Sequence, residues 1–234
     1  MVPIVLEFVQ PKSVIDVGCG VGTWLSVFSE LGVPDIFGVD GNWVDKRLLL
    51  IPQNFFASHD LTRPLVIGRQ FDLVVSLEVA EHLPSESAEI FVDSLTSLGP
   101  VVLFSAAIPF QGGTSHINEQ WPDYWAKLFN KRGYVAVDSV RRKVWQNDNV
   151  DCWYAQNILF FVNKSKLEDY PQLKKAYAIT EPNQLSIVHP KLYLLRANPR
   201  NLSTNTALKV LPTIFKNTFK RKVNRLFRKS KKSS

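Results

Sequence analysis

The segment from Val14 to Trp24 constrains the fold of this chain more than any other. A short β-branched run contains Asp16, a loop with glycine at every second position follows, and apolar residues at helical spacing come next. The loop glycines are Gly18, Gly20 and Gly22. A strand, a glycine loop and a helix in this order present backbone N–H groups to a nucleotide-like ligand in open α/β sheets. The spacing differs from the Gly-x-Gly-x-x-Gly of dinucleotide-binding domains, so the ligand need not carry a pyrophosphate.

The rest of the chain alternates predicted strands with predicted helices. Strands are predicted at 14–17, 35–39, 54–58, 71–77, 101–106, 134–144 and 154–163. Helices are predicted at 2–9, 23–31, 43–50, 84–98 and 119–131. The run 71–77 is nearly all apolar, as expected of a strand that is buried on both faces. We therefore predict an α/β fold with a Rossmann-like doubly wound sheet of about seven strands.

The glycine loop resembles the first motif of class I S-adenosylmethionine (SAM) dependent methyltransferases, and residues 78–84 resemble a second motif of that superfamily. The resemblance covers roughly residues 1–165. It implies SAM as the cofactor and a last hairpin that makes one strand antiparallel. It also implies that Asp16 holds the ammonium of the methionine moiety, Asp40 the ribose hydroxyls and Asp60 the adenine amino group. The other residues that it implies at the cofactor are Gly18, Gly20, Gly22, Leu61, Leu77 and Glu78.

The residue types allow an ordinary role for Asp40 and Asp60 as well, because Asp at a strand end often caps a turn. Carboxylates nevertheless suit a cofactor that carries a sulfonium and an ammonium, and they disfavour a phosphate-rich one. Asp40 also ends its predicted strand, where a carboxylate can accept both ribose hydroxyls. The sequence leaves the binding role and the capping role open for both residues.

A second constellation is Glu-x-x-Glu-His at Glu78, Glu81 and His82, with His116 further along the chain. If one helical turn follows the strand, the first three side chains share a face, and His116 would join them from the neighbouring strand end. This set resembles the metal site of small-RNA 2′-O-methyltransferases and the corresponding segment of ubiquinone-pathway O-methyltransferases. The resemblance implies a divalent ion that coordinates two adjacent hydroxyls of the acceptor and lowers the pKa of one of them. Mixed oxygen and nitrogen ligands suit Mn²⁺, Co²⁺, Fe²⁺ or Zn²⁺, and Mg²⁺ stays open.

The same motif is widespread in methyltransferases that need no metal. There one Glu contacts the cofactor or a helix N-terminus. In that case His82 or His116 would act as the general base, with Glu81 as a further catalytic candidate. Either alternative favours an oxygen nucleophile, while nitrogen and carbon acceptors stay open.

Two aromatic segments are candidates for the acceptor wall. Glycines at 112 and 113 predict a loop over the site, and Trp121, Tyr124 and Trp125 follow, which could stack on a sugar or a flat ring. The loop 145–153 carries two tryptophans and two aspartates. Aromatic faces with acids are typical of carbohydrate sites, but the same aromatic residues could equally anchor a helix on the sheet.

The net charge of +7 is unevenly distributed. Of the 28 Lys and Arg residues, ten lie within 201–234 without any acid, so the other 18 face 21 acids. From Pro212 onward, apolar residues recur every three or four positions between bases, which predicts a basic amphipathic helix. We predict a methyltransferase domain at 1–165, a substrate-side or packing extension at 166–206, and a basic helix with a disordered end at 207–234.

Such a helix suits an anionic membrane surface, contacted through residues 212–229. It could instead dock on the body or bind nucleic acid phosphates. No apolar run approaches the roughly 18 residues that span a bilayer, and the chain does not begin like a signal peptide. Two cysteines provide no disulfide framework. The expected location is cytoplasmic, with peripheral association at the inner membrane face.

The leading functional prediction is a SAM-dependent O-methyltransferase that acts on a hydroxyl of a sugar or glycan intermediate, with or without a metal. RNA is the nearest rival acceptor, and it is disfavoured because the body of the chain is slightly acidic. A catechol-type small molecule is a third acceptor. The alternative outside enzymes is a SAM-binding module that has lost catalysis and acts through its basic tail.

Overall fold

The computed structural model describes residues 1–201 and 204–230, without the side chains of 199, 205, 206 and 222–230. Its strands are β1 (Ser13–Val17), β2 (Asp35–Asp40), β3 (Phe56–Ser58), β4 (Leu73–Leu77), β5 (Val101–Ser105), β6 (Tyr134–Val137) and β7 (Leu159–Asn163). They form one sheet in the order β3-β2-β1-β4-β5-β7-β6. Neighbouring strands are parallel except β7, which is antiparallel to both β5 and β6. The predicted Rossmann-like sheet with one antiparallel strand is confirmed.

Helices cover both faces of this sheet. In chain order, the helices of the described residues are α1 (Val2–Phe8), α2 (Thr23–Glu30), α3 (Ala88–Leu98), α4 (Pro122–Asn130), α5 (Val140–Val144), α6 (Cys152–Asn157), α7 (Pro171–Ala178), α8 (Pro190–Ala197) and α9 (Thr204–Ser230). Successive strand residues point to opposite faces. Val14 therefore packs with α1 and α2, whereas Ile15 packs with α3 and α4. The carboxyl ends of the parallel strands are left as the edge where a ligand binds in such folds.

The helix predicted at 43–50 is wrong. The structure has only a 3₁₀ turn at Lys46–Leu48, started by the Asp45 carboxylate, which accepts a hydrogen bond from the Arg47 amide. Leu48 is 63% exposed, and most of the other residues of 43–50 are exposed as well. A helix in a protein is stabilised mainly by burying an apolar face. Here only Val44 and Leu49 pack against the core, whereas the other apolar residues of 43–50 are exposed.

The two last predicted strands are also wrong over half of their length. Residues 134–144 form β6 and then α5, and residues 154–163 form the end of α6 and then β7. The cause is Arg141, which is 1% exposed and donates hydrogen bonds to the Asp138 carboxylate and to the Gln156 carbonyl. A buried guanidinium needs such partners, and it holds the two short helices together.

The chain divides into two compact units, Met1–Leu192 and Tyr193–Ser234. In the second unit α9 already begins at Thr204, before Pro212, where the apolar repeat of the sequence begins, so Pro212 lies inside the helix. The disordered end is predicted for 229–234, but α9 extends through Ser230, and 231–234 lie outside the described part of the chain. Among the described residues, no helix is long and apolar enough to cross a membrane. The domain boundaries at 165 and 206 stay predictions.

Candidate active site

The glycine loop between β1 and α2 is held against the end of β2. The amides of Gly18 and Cys19 both donate to the carbonyl of Val39, at 2.7 and 3.2 Å. Gly18 has φ of 88°, and a Cβ at this position would overlap the Val79 side chain. Only glycine adopts this backbone and allows this approach without displacement of its neighbours. The loop therefore lies directly against the segment that follows β4.

Asp40, the predicted ribose-binding residue, ends β2 and is 7% exposed. Its Oδ2 accepts a hydrogen bond from the Gly20 amide at 2.7 Å, and its Oδ1 accepts one from the Gly41 amide at 2.6 Å. An ionised carboxylate offers about four acceptor positions. Asp40 is thus oriented by the loop and retains lone pairs for the hydroxyls of a ligand.

Asp16, predicted to hold an ammonium group, is a buried carboxyl in β1. It is 1% exposed, and its Oδ2 has no hydrogen-bond partner among the described residues. Burial, together with the nearby charge of Asp40, raises the pKa of Asp16 to about 8. Burial also raises the pKa of the Cys19 thiol, so this loop cysteine is a poor nucleophile. A buried carboxyl without a partner favours a bound cation.

Asp60 differs from these two residues because it is exposed and already engaged. Its Oδ1 accepts from the amide and the hydroxyl of Thr62, and Arg63 lies 3.4 Å from its Oδ2. The hydrogen bonds from Thr62 lower the pKa of Asp60 and keep it ionised. Leu61, its predicted partner at the cofactor, is buried. The turn-capping alternative therefore describes the local geometry of Asp60.

A cavity of about 380 Å³ lies between the segments that follow β2 and β3. Its lining residues are Gly41, Asn42, Trp43, Ser58, His59 and Asp60. The Trp43 ring lies so close over Gly41 that a Cβ there would overlap it. Trp43 is absent from the predicted site residues because its neighbourhood favours a helix. The sequence signal that could have indicated Trp43 is its position, because it is an aromatic residue three positions after Asp40.

Leu77 and Glu78 lie where β4 ends. Leu77 is buried, and Glu78 has φ of 55° with its amide donating to the carbonyl and the hydroxyl of Ser105. The Glu78 carboxylate accepts hydrogen bonds from the side-chain amides of Gln111, at 2.9 Å, and Asn157, at 3.1 Å. Gln111 and Asn157 are distant in sequence, and no local motif indicates them.

Glu81, His82 and His116 form a group whose ligand atoms all lie within 4.8 Å of one another. The two imidazole rings meet edge to face, with centroids 4.9 Å apart. The fourth predicted ligand, Glu78, is outside this group. The one-turn spacing assumed for it fails because Glu78 has left-handed backbone and a 3₁₀ turn begins only at Ala80. The structure thus brings three of the four predicted residues together.

Glu81 is the most buried member of this group. It is 0% exposed, and neither carboxylate oxygen has a hydrogen-bond partner among the described residues. Burial, with the charge of Glu78 nearby, raises the pKa of Glu81 to about 9. The backbone carbonyl of Glu81 accepts hydrogen bonds from the amides of Ile117 and Asn118. These bonds hold the loop that carries His116 next to Glu81.

Glu119 orients His116. Its Oε1 lies 2.9 Å from Nδ1 of His116, and its carboxylate also accepts from the amides of Phe110 and Gly112. With Nδ1 engaged, Nε2 is the imidazole nitrogen left for a ligand. Glu119 is absent from the predicted site residues, although its spacing of three from His116 points to such a contact.

The aromatic residues of α4 serve mainly as anchors. Trp125 is 2% exposed and packs on Phe104 of β5, with ring centroids 5.3 Å apart. The Tyr124 ring lies 5.0 Å from that of Trp125. Trp121, before α4, is 38% exposed and stays a candidate for the acceptor wall.

Comparisons with known proteins agree with this geometry. Residues 3–134 match the family model described as a methyltransferase domain. A comparison with curated proteins gave no match. The chain is similar to the solved methyltransferase domain of bacterial CtHen1-C, at 22% identity over 69% of this chain and 94% of that one, with a TM-score of 0.51. It is also similar to a SAM-dependent methyltransferase from Archaeoglobus fulgidus, at 18% identity over 70% and 89%, with a TM-score of 0.50.

A third similar structure is the magnesium protoporphyrin IX methyltransferase from Synechocystis PCC 6803 with bound SAM, at 21% identity, coverages of 64% and 69%, and a TM-score of 0.46. The structural likenesses concern the fold, whereas the family match spans more than half of the chain and includes the glycine loop and residues 78–82. The chain therefore belongs to the class I SAM-dependent methyltransferase superfamily, and SAM is its methyl donor.

Proposed function

We propose that the protein methylates a hydroxyl of a sugar or glycan intermediate, and that Glu81, His82 and His116 hold a divalent ion beside this acceptor. One observation carries the proposal: the Glu81 carboxylate is fully buried without a hydrogen-bond partner, within 4.8 Å of ligand atoms of two histidines. A carboxylate in such a place is stable only when a proton or a cation compensates its burial. Two imidazoles beside it favour a metal cation.

The donor set fits a divalent ion such as Mn²⁺, Co²⁺, Fe²⁺ or Zn²⁺, and it allows Mg²⁺. One carboxylate and two imidazoles leave coordination positions for acceptor oxygens. Glu119 holds the Nδ1 side of His116, which is the usual way that a protein orients a metal-binding imidazole. A bound ion would lower the pKa of an acceptor hydroxyl and so favour an oxygen nucleophile.

Residues of the chain itself bind the methyl donor and move the proton. Asp16 pairs with the ammonium of SAM, and Asp40 accepts the ribose hydroxyls while the glycine loop approaches the ligand. His82 is exposed, with its Nδ1 3.4 Å from the carbonyl of Ser115, so its Nε2 is the nitrogen left for the ion. With the ion bound, the proton of the acceptor hydroxyl passes to water; without an ion, Nε2 of His82 would accept it. SAM supplies an electrophilic methyl group to that oxygen.

Calorimetric titration of Mn²⁺ into EDTA-treated protein, with elemental analysis of the untreated protein, tests the metal part. Glu81→Gln removes the charge of the buried ligand, and Glu86→Gln is a matched control on the exposed turn that follows. We expect Glu81→Gln to weaken Mn²⁺ binding at least about tenfold, a loss of roughly 1.4 kcal/mol. Both variants should bind S-adenosylhomocysteine (SAH) as the wild type does.

Binding of SAH without any metal binding would contradict the metal part and leave His82 and His116 as metal-free bases. The acceptor is tested by transfer of labelled methyl from SAM to nucleotide sugars, to a short RNA and to a catechol. Transfer to RNA or catechol alone would contradict the sugar assignment. SAH binding without transfer to any acceptor would favour the inactive SAM-binding module.

We further propose that α9 binds an anionic membrane surface. Four exposed apolar side chains recur at helical spacing and so share one face: Leu208, Leu211, Phe215 and Phe219. Lys209, Lys216 and Lys220 recur along the flank of this face, and residues 201–234 contain no acid. An apolar stripe beside basic side chains suits a helix that lies in a lipid interface, with about 1 kcal/mol from each base near anionic headgroups.

Co-sedimentation of the full chain with vesicles of phosphatidylcholine, with and without phosphatidylserine, tests this assignment. Phe215→Ser with Phe219→Ser removes the apolar anchors without a change of charge, and Tyr193→Ser is the control at an exposed aromatic residue outside α9. We expect binding to the anionic vesicles, lost in the double variant only. The proposal would be contradicted if the double variant and Tyr193→Ser sedimented equally with the anionic vesicles. Salt-sensitive RNA binding without vesicle binding would contradict it as well.

A further inference from the structure

The helix α6 covers the end of the loop predicted at 145–153 and the first residues of the strand predicted at 154–163, and it ends beside the second motif. Its last two residues, Gln156 and Asn157, are buried. Asn157 donates hydrogen bonds to the Glu78 carboxylate, at 3.1 Å, and to the Gln111 side-chain carbonyl, at 2.9 Å. Gln156 donates in turn to the Asn157 side-chain carbonyl at 2.8 Å. These buried hydrogen bonds hold the end of α6 against Glu78. They therefore also fix the positions of the side chains earlier in α6.

Tyr154 links α6 to the glycine-loop side of the site. Its ring meets that of Trp24, in the first turn of α2, edge to face with centroids 5.5 Å apart. Burial and the nearby carboxylates of Glu78, Asp151 and Asp16 raise the pKa of Tyr154 to about 12. The hydroxyl is therefore neutral at ordinary pH and able to donate and accept hydrogen bonds. Tyr154 is thus bordered by residues of both motifs.

Two of the four wall candidates in the loop 145–153 already have structural partners. The Trp145 ring packs on that of His189, with centroids 4.6 Å apart. The Asp148 carboxylate pairs with Lys191 at 2.5 Å. Both residues therefore serve the packing of the segment just before and within α8.

The other two candidates, Asp151 and Trp153, have no such partners. Trp153 is 37% exposed, and its ring lies 6.4 Å from that of Tyr154 with 49° between the ring planes. Asp151 is exposed, and the described residues provide no hydrogen bond or ion pair to its carboxylate. An exposed aromatic side chain and a carboxylate without a partner among the described residues thus lie two positions apart at the start of α6, about one helical turn before Asn157, which holds Glu78.

We infer that this segment is the acceptor wall of the enzyme: Trp153 and Tyr154 pack against the ring of a saccharide, and Asp151 accepts hydrogen bonds from its hydroxyls. The inference rests on the proposed function and deepens it, because it assigns the residues that select the acceptor. A sugar presents C–H groups to an aromatic face and hydroxyl donors to a carboxylate. The phosphodiester backbone of an RNA would instead meet the like charges of Asp151 and Glu78.

Saturation-transfer NMR on the full chain with SAH present tests the wall without any turnover. The probe is methyl α-D-glucopyranoside, which carries no charge. We expect saturation of the sugar ring protons by the wild type, and an affinity about tenfold lower for Trp153→Ala, equivalent to roughly 1.4 kcal/mol. Asp151→Asn, nearly isosteric and at an exposed position, should weaken binding severalfold. Tyr193→Ala, at an exposed aromatic residue of the C-terminal unit, is the control and should have no effect.

Unchanged SAH affinity shows that each variant is folded. Equal saccharide binding by the wild type, Trp153→Ala and Asp151→Asn would overturn the inference, as would an absence of saccharide binding by the wild type. The measurement needs neither metal nor methyl transfer. Wall-dependent saccharide binding by a protein that takes up no Mn²⁺ would therefore support the wall and contradict only the metal part of the proposed function.

Discussion

The Gly20 amide donates a 2.7 Å hydrogen bond to Oδ2 of Asp40, and this bond joins the middle of the glycine loop to the end of β2. The loop and the carboxylate therefore hold each other in place before any ligand binds. Such preorganisation lowers the free-energy cost of ordering a site on binding. The proposed cofactor site is built from backbone and carboxylate groups of two neighbouring strands.

Replacing Asp40 by alanine should weaken SAH binding at least about tenfold. The substitution removes the acceptor for the ribose hydroxyls and also frees the loop amide, and a hydrogen bond to a charged group contributes about 1.5–3 kcal/mol. Calorimetric titration with SAH measures the change. Asp45→Ala, which removes a surface carboxylate paired with Arg47, should leave the affinity unchanged. Equal affinities for the two variants would mean that Asp40 does not contact the ribose.

The stability of the ligand-free protein should depend on the protonation of Asp16. Its pKa is about 8 in the folded protein and 3.8 ordinarily, so between these values the folded state holds a proton that the unfolded chain has lost. The contribution of Asp16 to stability is therefore complete below about pH 4 and is lost as the pH rises towards about 8, with a slope of up to about 1.4 kcal/mol per pH unit.

Urea unfolding of the wild type and Asp16→Asn between about pH 5 and about pH 8 measures this effect. Asparagine does not titrate, so the wild type should lose stability relative to the variant as the pH rises. Parallel curves for the two proteins would contradict the raised pKa of Asp16.

Glu119→Gln should lower Mn²⁺ affinity by about 10–100-fold, because partners that orient a metal-binding imidazole commonly contribute that much. The neutral amide no longer stabilises the tautomer with the proton on Nδ1 of His116. Titration of Mn²⁺ followed by electron paramagnetic resonance measures the loss. Glu89→Gln, at the surface beside Lys131, is the control and should bind as the wild type does. An unchanged affinity of Glu119→Gln would remove Glu119 from the metal-binding arrangement.

Gly18→Ala should destabilise the protein more than Gly32→Ala. Both glycines have positive φ, 88° and 94°, but a Cβ at Gly18 would overlap Val79, whereas nothing lies within 4 Å of a Cβ at Gly32. Backbone strain is therefore common to both variants, and overpacking adds about 1–3 kcal/mol at Gly18 alone. Urea unfolding of the two variants measures the difference. Equal destabilisation would mean that the loop moves away from Val79 at little cost.

The parts of the site that local pattern predicts are those made by short segments. The glycine loop follows β1 directly, Asp40 ends β2, and residues 78–82 follow the all-apolar β4, so pattern and topology place these groups at one sheet edge. The same holds for the two histidines, of which His116 comes from the segment after the neighbouring strand. The periodicity of apolar residues was sufficient for these features because each depends on neighbours along the chain.

Contacts between residues that are distant in sequence determine the other parts of the site. Glu78 leaves the cluster because Gln111 and Asn157 hold its carboxylate and Ser105 holds its amide, and none of these partners is near it in sequence. Residues 154–157 of α6 are predicted as the start of a strand because an apolar run follows them directly. They fold as helix because buried side chains such as Arg141 need hydrogen-bond partners that only another segment supplies. The order of strands and loops could thus be predicted from the sequence pattern, and the cofactor from the resemblance to a family. The proposed acceptor wall instead depends on buried polar groups whose partners are distant in sequence.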